Sequence, residues 1–400
     1  MTSIKNYATV TAAYWGFTLT DGALRMLVVL YFHQLGYSAI DIAFLFLFYE
    51  FFGVVTNLVG GWLAARYGLN KTLFGGLVLQ VSALMLLSLE SYLSVPYVMA
   101  VQAISGIAKD LNKMSAKSSL KLLVPDEKQG QLFKWVSILT GSKNTLKGVG
   151  FFLGGFLLAV LGYQQSLIAM AVGLGIIGLV CFLLLPADLQ AKKSKAKFKH
   201  VFSKKQQINR LSAARFFLFG ARDIWFVVAL PVFLQASLNW GHTQVGTLMA
   251  AWVILYGFVQ SSTPKMLGFK DPAHAPNGNT ATRFAFTLFL APLSMLIAAQ
   301  MNIPLNIIVI GGLLLFAIIF AINSAIHSFL ILAYSNEDDV SLDVGFYYMS
   351  NAAGRLVGTL FSGLIYQSYG FLACIVGSTL MIGICSLIST QLENTNSRKH

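Results

Sequence analysis

Charge is scarce in this 400-residue chain: Asp, Glu, Lys and Arg make up 11% of it, against about 25% in a soluble domain. A water-soluble globular protein is excluded on that count. Cysteine is nearly absent. The three that occur, Cys181, Cys374 and Cys385, fall in apolar stretches. Cys374 and Cys385 are eleven apart, about 16 Å along a helix, so they neither bridge nor share a metal ion. All three are expected to pack as small apolar side chains. No grouping with metal-ligand spacing and no nucleophile–base pair occurs in the sequence, so no catalytic residue, metal or cofactor is expected. The chain does not read as an enzyme.

Acids are the rarer charge, 15 against 28 Lys and Arg, for a net charge of +13. Nucleic acid is not the expected partner, because the basic residues alternate along the chain. Segments near 35–40, 90–95, 161–166, 237–242, 300–304 and 367–370 contain no Lys or Arg. The intervening set holds Arg66 and Lys71, Lys128, the cluster Lys192 to Lys205, Lys265 and Lys270, and Arg398 and Lys399. The positive-inside rule puts that set, and both termini, in the cytoplasm.

What the chain has in quantity is apolar sequence, 56% of the total, in runs of about 20 residues, the length that spans a bilayer. Twelve are read: 10–34, 39–65, 72–89, 95–124, 130–160, 163–185, 209–236, 242–265, 283–300, 304–334, 343–367 and 369–390. The first follows a short polar start and is too long and too charged for a signal sequence, so it is expected to remain as a span. The expectation is an all-α membrane protein of twelve transmembrane helices.

A basic stretch divides the chain: 1–190 form one six-helix bundle, 191–208 a cytoplasmic linker held at anionic headgroups by about 1 kcal/mol per basic residue, and 209–400 a second bundle. The halves echo each other, Asp21-Gly-Ala-Leu-Arg25 against Gly220-Ala-Arg222-Asp223. Two pseudo-symmetric bundles joined this way form a parallel-repeat transporter, with its site expected near the midplane. The run Gly60-Gly61-Trp62-Leu63-Ala64-Ala65-Arg66-Tyr67-Gly68-Leu69-Asn70-Lys71 resembles the cytoplasmic loop motif of the major facilitator superfamily, departing from it at Ala65, where that family usually has an aspartate.

The few charges within the spans are concentrated where they are most expensive. Arg25, Lys109, Lys113, Lys143, Lys147, Arg222 and Arg355 fall near span centres, with the acids Asp21, Glu50, Asp110 and Asp223. A cation there costs about 2.5 to over 10 kcal/mol unless it meets water, a partner or a ligand. Lys109, Lys113, Lys117 and Lys121 are four apart and form one helical stripe; Lys143 and Lys147 repeat the spacing. Such pairs repel, which points to an anion between them. Seven bases against four acids leave about three positive charges, suiting a ligand of two to three negative charges. Tyr347 and Asn351 flank Arg355 and join the candidate binding set.

Bland readings apply to several of these residues. Lys109 and Lys113 are expected to pair with Asp110 or Asp21 if they bind no ligand, and Arg25 and Arg222 with the acids of their own helices. Lys117 and Lys121 approach the cytoplasmic end, where snorkelling is expected. Asp21, Glu50, Asp110, Asp223 and His327 are candidates for proton coupling or charge balance, His327 lying near Asn323 as an interhelical hydrogen bonder. Glu337, Asp338, Asp339 and Asp343 favour a helix N-terminus; the alternative is an inner gate in which Asp343 meets Arg66 or Lys71.

Three stretches, 105–117 (SGIAKDLNKMSAK), 140–148 (TGSKNTLKG) and 347–358 (YYMSNAAGRLVG), resemble the ArsJ family of organoarsenical efflux transporters within the major facilitator superfamily, and the similarity extends over essentially the whole chain. The resemblance implies export of 1-arseno-3-phosphoglycerate, the ester formed when glyceraldehyde-3-phosphate dehydrogenase uses arsenate in place of phosphate. It also implies arsenate resistance, that dehydrogenase as functional partner, and a monomer in the bacterial inner membrane. Two basic clusters, one on the fourth and fifth spans and one from Arg222 or Arg355, suit the two oxyanion ends of that ester. Alternatives are a transporter of another phosphorylated or anionic metabolite, a drug exporter, or a non-transporting membrane sensor. A drug exporter is expected to carry acids without this basic excess.

Overall fold

The computed structural model describes residues 2–37, 45–125, 128–185, 203, 205–240, 242–268, 275–301, 303–336 and 339–393, and among these the regular structure is helical throughout. Most of the basic linker lies outside the described residues, as do Lys270, Glu337, Asp338, Arg398 and Lys399. The first half of the chain forms α1 (Thr2–Gln34), α2 (Leu47–Tyr67), α3 (Leu69–Leu87), α4 (Val95–Leu123), α5 (Gln129–Leu161) and α6 (Tyr163–Leu184). The second half forms α7 (Gln206–Phe226), α8 (Ala229–Ala236), α9 (His242–Met266), α10 (Gly278–Gln300), α11 (Leu305–Tyr334) and α12 (Val340–Ser389).

Local chemistry sets the boundaries. Gly68 ends α2 and starts α3 with φ +97° and donates its N–H to Ala64 O at 2.9 Å. That left-handed backbone is what the glycine of the loop motif supplies. Gly370, at φ +79°, is the one non-helical residue inside α12 and divides it into two spans. The 209–236 stretch is broken at Val227–Val228 into α7 and α8, where Pro231 has no N–H to donate to the Val227 carbonyl and its ring crowds that group. α10 begins at Gly278, five residues before the expected 283, because Asn277 and Thr280 cap it reciprocally: Asn277 Oδ1 accepts from Thr280 N–H at 3.1 Å and Thr280 Oγ1 from Asn277 N–H at 3.3 Å.

Eight stretches are long and apolar enough to cross a membrane, with α7–α8 taken as one and all of α12 as one. α1, α4 and α9 fall outside that set. α4 shows why: it carries Lys109, Asp110, Lys113, Lys117 and Lys121.

The chain forms two compact units. The N-terminal unit holds α1–α4, α6, α5 from Ser142 onward, and α12 as far as Met349; the C-terminal unit holds α7–α11, the start of α5 as far as Gly141, and α12 from Ser350. Two stretches are thus grouped with the opposite half of the sequence, and backbone contact explains it. A Cβ on Gly61 of α2 would lie 2.5 Å from Ser341 O and 3.1 Å from the Gly345 Cα of α12. In the C-terminal unit a Cβ on Gly141 of α5 would lie 2.5 Å from Gly257 O of α9. Side chains larger than hydrogen would force these helices apart.

Candidate functional site

In the N-terminal unit α1 and α5 meet backbone to backbone. Gly150 and Gly154 form a Gly-x-x-x-Gly seam on α5; a Cβ on Gly150 would lie 2.7 Å from Leu19 O, and Gly154 opposes Ala23. The seam brings Asp21 and Arg25 of α1 to the level of Lys147. A second close approach joins α2 to α4: a Cβ on Gly106 would lie 2.6 Å from Tyr49 O, and one on Gly53 3.1 Å from Asp110 Oδ2.

On this frame the charges pair across helices. Arg25 Nη2 donates to Glu50 Oε1 at 2.9 Å, and its guanidinium lies 4.7 Å from the Tyr49 ring centre and 5.1 Å from that of Phe46. Tyr49 O–H donates to Asp21 Oδ1 at 2.6 Å. Asp110, almost fully buried, takes Lys113 Nζ at 2.5 Å and Lys109 Nζ at 3.8 Å. Lys109 Nζ also lies 3.9 Å from the Tyr49 ring centre. Tyr348 holds two lysines: Lys113 Nζ is 4.7 Å and Lys117 Nζ 4.6 Å from its ring centre, and Lys117 also bonds its hydroxyl.

Lys147 differs from the rest. Its ammonium lies 5.9 Å from the centre of the Phe151 ring one turn on. It lies in the field of Arg25, Asp21, Lys143 and Glu50 without an ion pair or hydrogen bond among the described residues. Lys143 is half-buried one turn before it.

The C-terminal unit repeats the seam. Gly354 and Gly358 on α12 oppose Phe216 and Gly220 on α7, a Cβ on Gly358 lying 2.6 Å from Gly220 O. Asp223, fully buried, is shared by two arginines: Arg222 Nε at 2.5 Å from Oδ1 and Arg355 Nε at 3.0 Å from Oδ2. The Arg222 guanidinium also rests on Phe219 and Phe320, 4.9 and 5.5 Å from their ring centres. Arg355 keeps 38% of its side chain exposed.

Several expectations are corrected by this geometry. Arg25 pairs with Glu50 on the next helix, not with Asp21 of its own, because Tyr49 occupies Asp21. Lys117 and Lys121 do not snorkel: they are 3% and 4% exposed, with Tyr348 drawing Lys117 inward. His327 is not an interhelical hydrogen bonder among the described residues; neither ring nitrogen has a partner. Asn351 bonds Arg215 (Nε to Oδ1, 3.0 Å) and not Arg355. Tyr347 is fully buried beside Tyr348, their ring centres 4.9 Å apart. Arg66 lies over Trp62 and Tyr67 of its own helix, 5.2 and 5.8 Å from the ring centres. Lys71 is exposed, and Asp343 is buried in the first turn of α12.

Sequence reasoning missed Arg215 on α7, which is 3% exposed and bonds Asn351 and Ser324. It lies near the start of the expected 209–236 span but at the middle of α7, and only the strongly apolar run that follows hints at its burial. The cysteines are free and buried, as their placement suggested.

The fold has many solved counterparts. A bacterial homologue of the iron transporter ferroportin, solved in an outward-facing state, matches with TM-score 0.77 at 13% identity over all of both chains. The human organic anion transporter MFSD10 (TETRAN) matches with TM-score 0.70 at 16% identity, covering 95% of this chain and 98% of that one. The E. coli fucose:proton symporter FucP matches with TM-score 0.73 at 11% identity, over 98% and 99%. At these identities the likeness is one of fold. No curated protein is significantly similar in sequence. The model of the Major Facilitator Superfamily matches residues 10–331, and with the all-helical, multi-pass architecture this places the chain in that superfamily of membrane transporters.

Proposed function

We propose that the chain exports a small organic solute with an oxyanion at each end, 1-arseno-3-phosphoglycerate, and so confers arsenate resistance. The observation that carries this reading is the buried cationic excess. Glu50, Asp110 and Asp223 are each engaged by Arg or Lys, and Asp110 and Asp223 by two apiece. Lys147 has no ion pair among the described residues. Cations held in this way are stabilised by an incoming anion. Each unit carries one such cluster: Arg25, Lys109, Lys113, Lys143 and Lys147 in one, Arg222, Asn351 and Arg355 in the other, with Tyr347 beside them in sequence. The resemblance of 105–117, 140–148 and 347–358 to organoarsenical efflux transporters selects the arseno-ester among phosphorylated anions. Its source is glyceraldehyde-3-phosphate dehydrogenase acting on arsenate.

Export proceeds by alternating access of the 1–190 and 209–400 halves, in a monomer in the bacterial inner membrane with both termini cytoplasmic. Asp343 with Arg66 and Lys71 is assigned to the cytoplasmic gate. Voltage drives export: moving an anion out of a negative interior releases about 2.3 kcal/mol per charge per 100 mV, or about 5–7 kcal/mol for two to three charges. Proton coupling through Asp21, Glu50, Asp110, Asp223 or His327 is not required on that figure.

The test is uptake of arsenate-derived label into everted membrane vesicles, with and without the dehydrogenase and its substrates. Dehydrogenase-dependent uptake is expected. Uptake of arsenate alone, or none in either condition, overturns the arsenical cargo. The second reading, another phosphorylated metabolite, is favoured if the vesicles instead accumulate a stable organic phosphate without arsenate.

A further inference from the structure

We infer that Arg215, Asn323 and His327 form a second oxyanion-binding subsite within the C-terminal unit, about 10 Å along α7 from Arg222. The inference rests on the anion-transport reading and adds to it a binding group that the central charges do not include.

Three observations carry it. Arg215 is a buried cation held by named neighbours: Nε donates to Asn351 Oδ1 at 3.0 Å, Nη1 to Ser324 Oγ at 3.1 Å, and its guanidinium lies 3.9 Å from the Phe219 ring centre. The neighbourhood is rich in donors. Tyr256 O–H and Gln260 Nε2 also reach Ser324 Oγ, at 2.9 and 3.2 Å, so three donors converge on a hydroxyl that has two lone pairs. Finally, Asn323 and His327 stand one turn apart on α11, flanking Ser324. Both are fully buried, and all four of their side-chain polar atoms lack a partner among the described residues. Arg215 acts on His327 electrostatically.

Buried polar atoms are almost always hydrogen-bonded, and two whole side chains without partners in one helical turn mark a place where a ligand supplies them: acceptor oxygens for Asn323 Nδ2 and the N–H of His327, and an acid hydroxyl for Asn323 Oδ1. A phosphate, arsenate or carboxylate group provides several acceptor oxygens and the charge that Arg215 complements. A neutral sugar provides no charge for Arg215.

The experiment is equilibrium binding of 3-phosphoglycerate and of inorganic phosphate to the full-length chain in detergent, together with its melting temperature. Arg215→Gln and Asn323→Leu are expected to weaken 3-phosphoglycerate binding at least tenfold. Asn323→Leu is also expected to raise the melting temperature, because it replaces unpartnered polar atoms with an apolar side chain of similar size. A purely structural role predicts the reverse, a lower melting temperature with affinity unchanged. Wild-type affinity in Asn323→Leu therefore overturns the subsite while leaving the anion reading standing. A wild-type chain that binds neither probe overturns both.

Discussion

Arg25 and Arg222 occupy equivalent positions in the two units: each lies two residues beyond the point where its helix touches the second glycine of a Gly-x-x-x-Gly seam, Ala23 against Gly154 and Gly220 against Gly358. The sequence echo suggested such a relation, but the acids flanking the two arginines fall at different offsets, so only the packing fixes the register. By the same register Lys147 corresponds to Asn351, each seven residues before the second glycine.

The seams predict a steric result. Gly150→Val and Gly354→Val place side-chain atoms where the Leu19 and Phe216 backbones lie. Each is expected to lower stability by about 1–3 kcal/mol or more through overpacking and to abolish transport. Melting temperature and vesicle uptake measure the two effects, and a variant that melts and transports like wild type rejects the seam.

Lys147 and Lys113 are predicted to part company. Lys147→Gln removes a cation with no described ion pair, so stability is expected to hold or rise while uptake is lost. Lys113→Gln strips Asp110 of its nearest counter-charge, and breaking a buried pair from one side costs about 3–5 kcal/mol. Thermal unfolding of the two purified variants checks the contrast, and equal melting temperatures would falsify it.

Asp223 is expected to be the most sensitive acid. Asp223→Asn leaves Arg222 and Arg355 facing each other without a carboxylate, and a loss of about 3–5 kcal/mol is anticipated. Adding Arg355→Gln removes part of the excess charge and should recover some of that loss. A double-mutant cycle in melting free energy measures the coupling; additive effects would show that Asp223 does not hold the two arginines together.

Tyr348 is predicted to matter through both its ring and its hydroxyl. Tyr348→Phe keeps the face that Lys113 and Lys117 approach and loses the hydrogen bond to Lys117, for an expected cost of about 1–2 kcal/mol. Tyr348→Leu loses the face as well, and about 1–2 kcal/mol more is expected for each desolvated cation–π contact. Chemical denaturation of the pair resolves the two steps, and equal stability of the Phe and Leu variants excludes the ring contribution.

The helices were legible in the sequence because they follow from apolar run length. Gly68 was legible too, since a turn at a left-handed residue needs glycine. The partners were not. Whether Arg25 meets Asp21 or Glu50 depends on the rotation of α1 against α2, and a spacing of four residues fixes a helical face but not what that face meets. Arg215 was missed for a related reason: near the end of an expected span, a solvated arginine and a buried one look alike in sequence. The break at Val227 was overlooked although Pro231 marks it, a residue with no N–H to give the Val227 carbonyl four positions earlier.

The glycine seams bear on what moves during transport. Helices that touch through their backbones have no long side chains between them to change rotamer, so α1 with α5 around Gly150 and Gly154, and α7 with α12 around Gly354 and Gly358, are each expected to move as one stiff plate. Arg25 and Lys147 are mounted on the first plate, Arg222 and Arg355 on the second. Within each unit the backbones that carry these charges are then locked in register, so a change in the charge pattern of one plate has to come from its side chains and not from sliding of its helices.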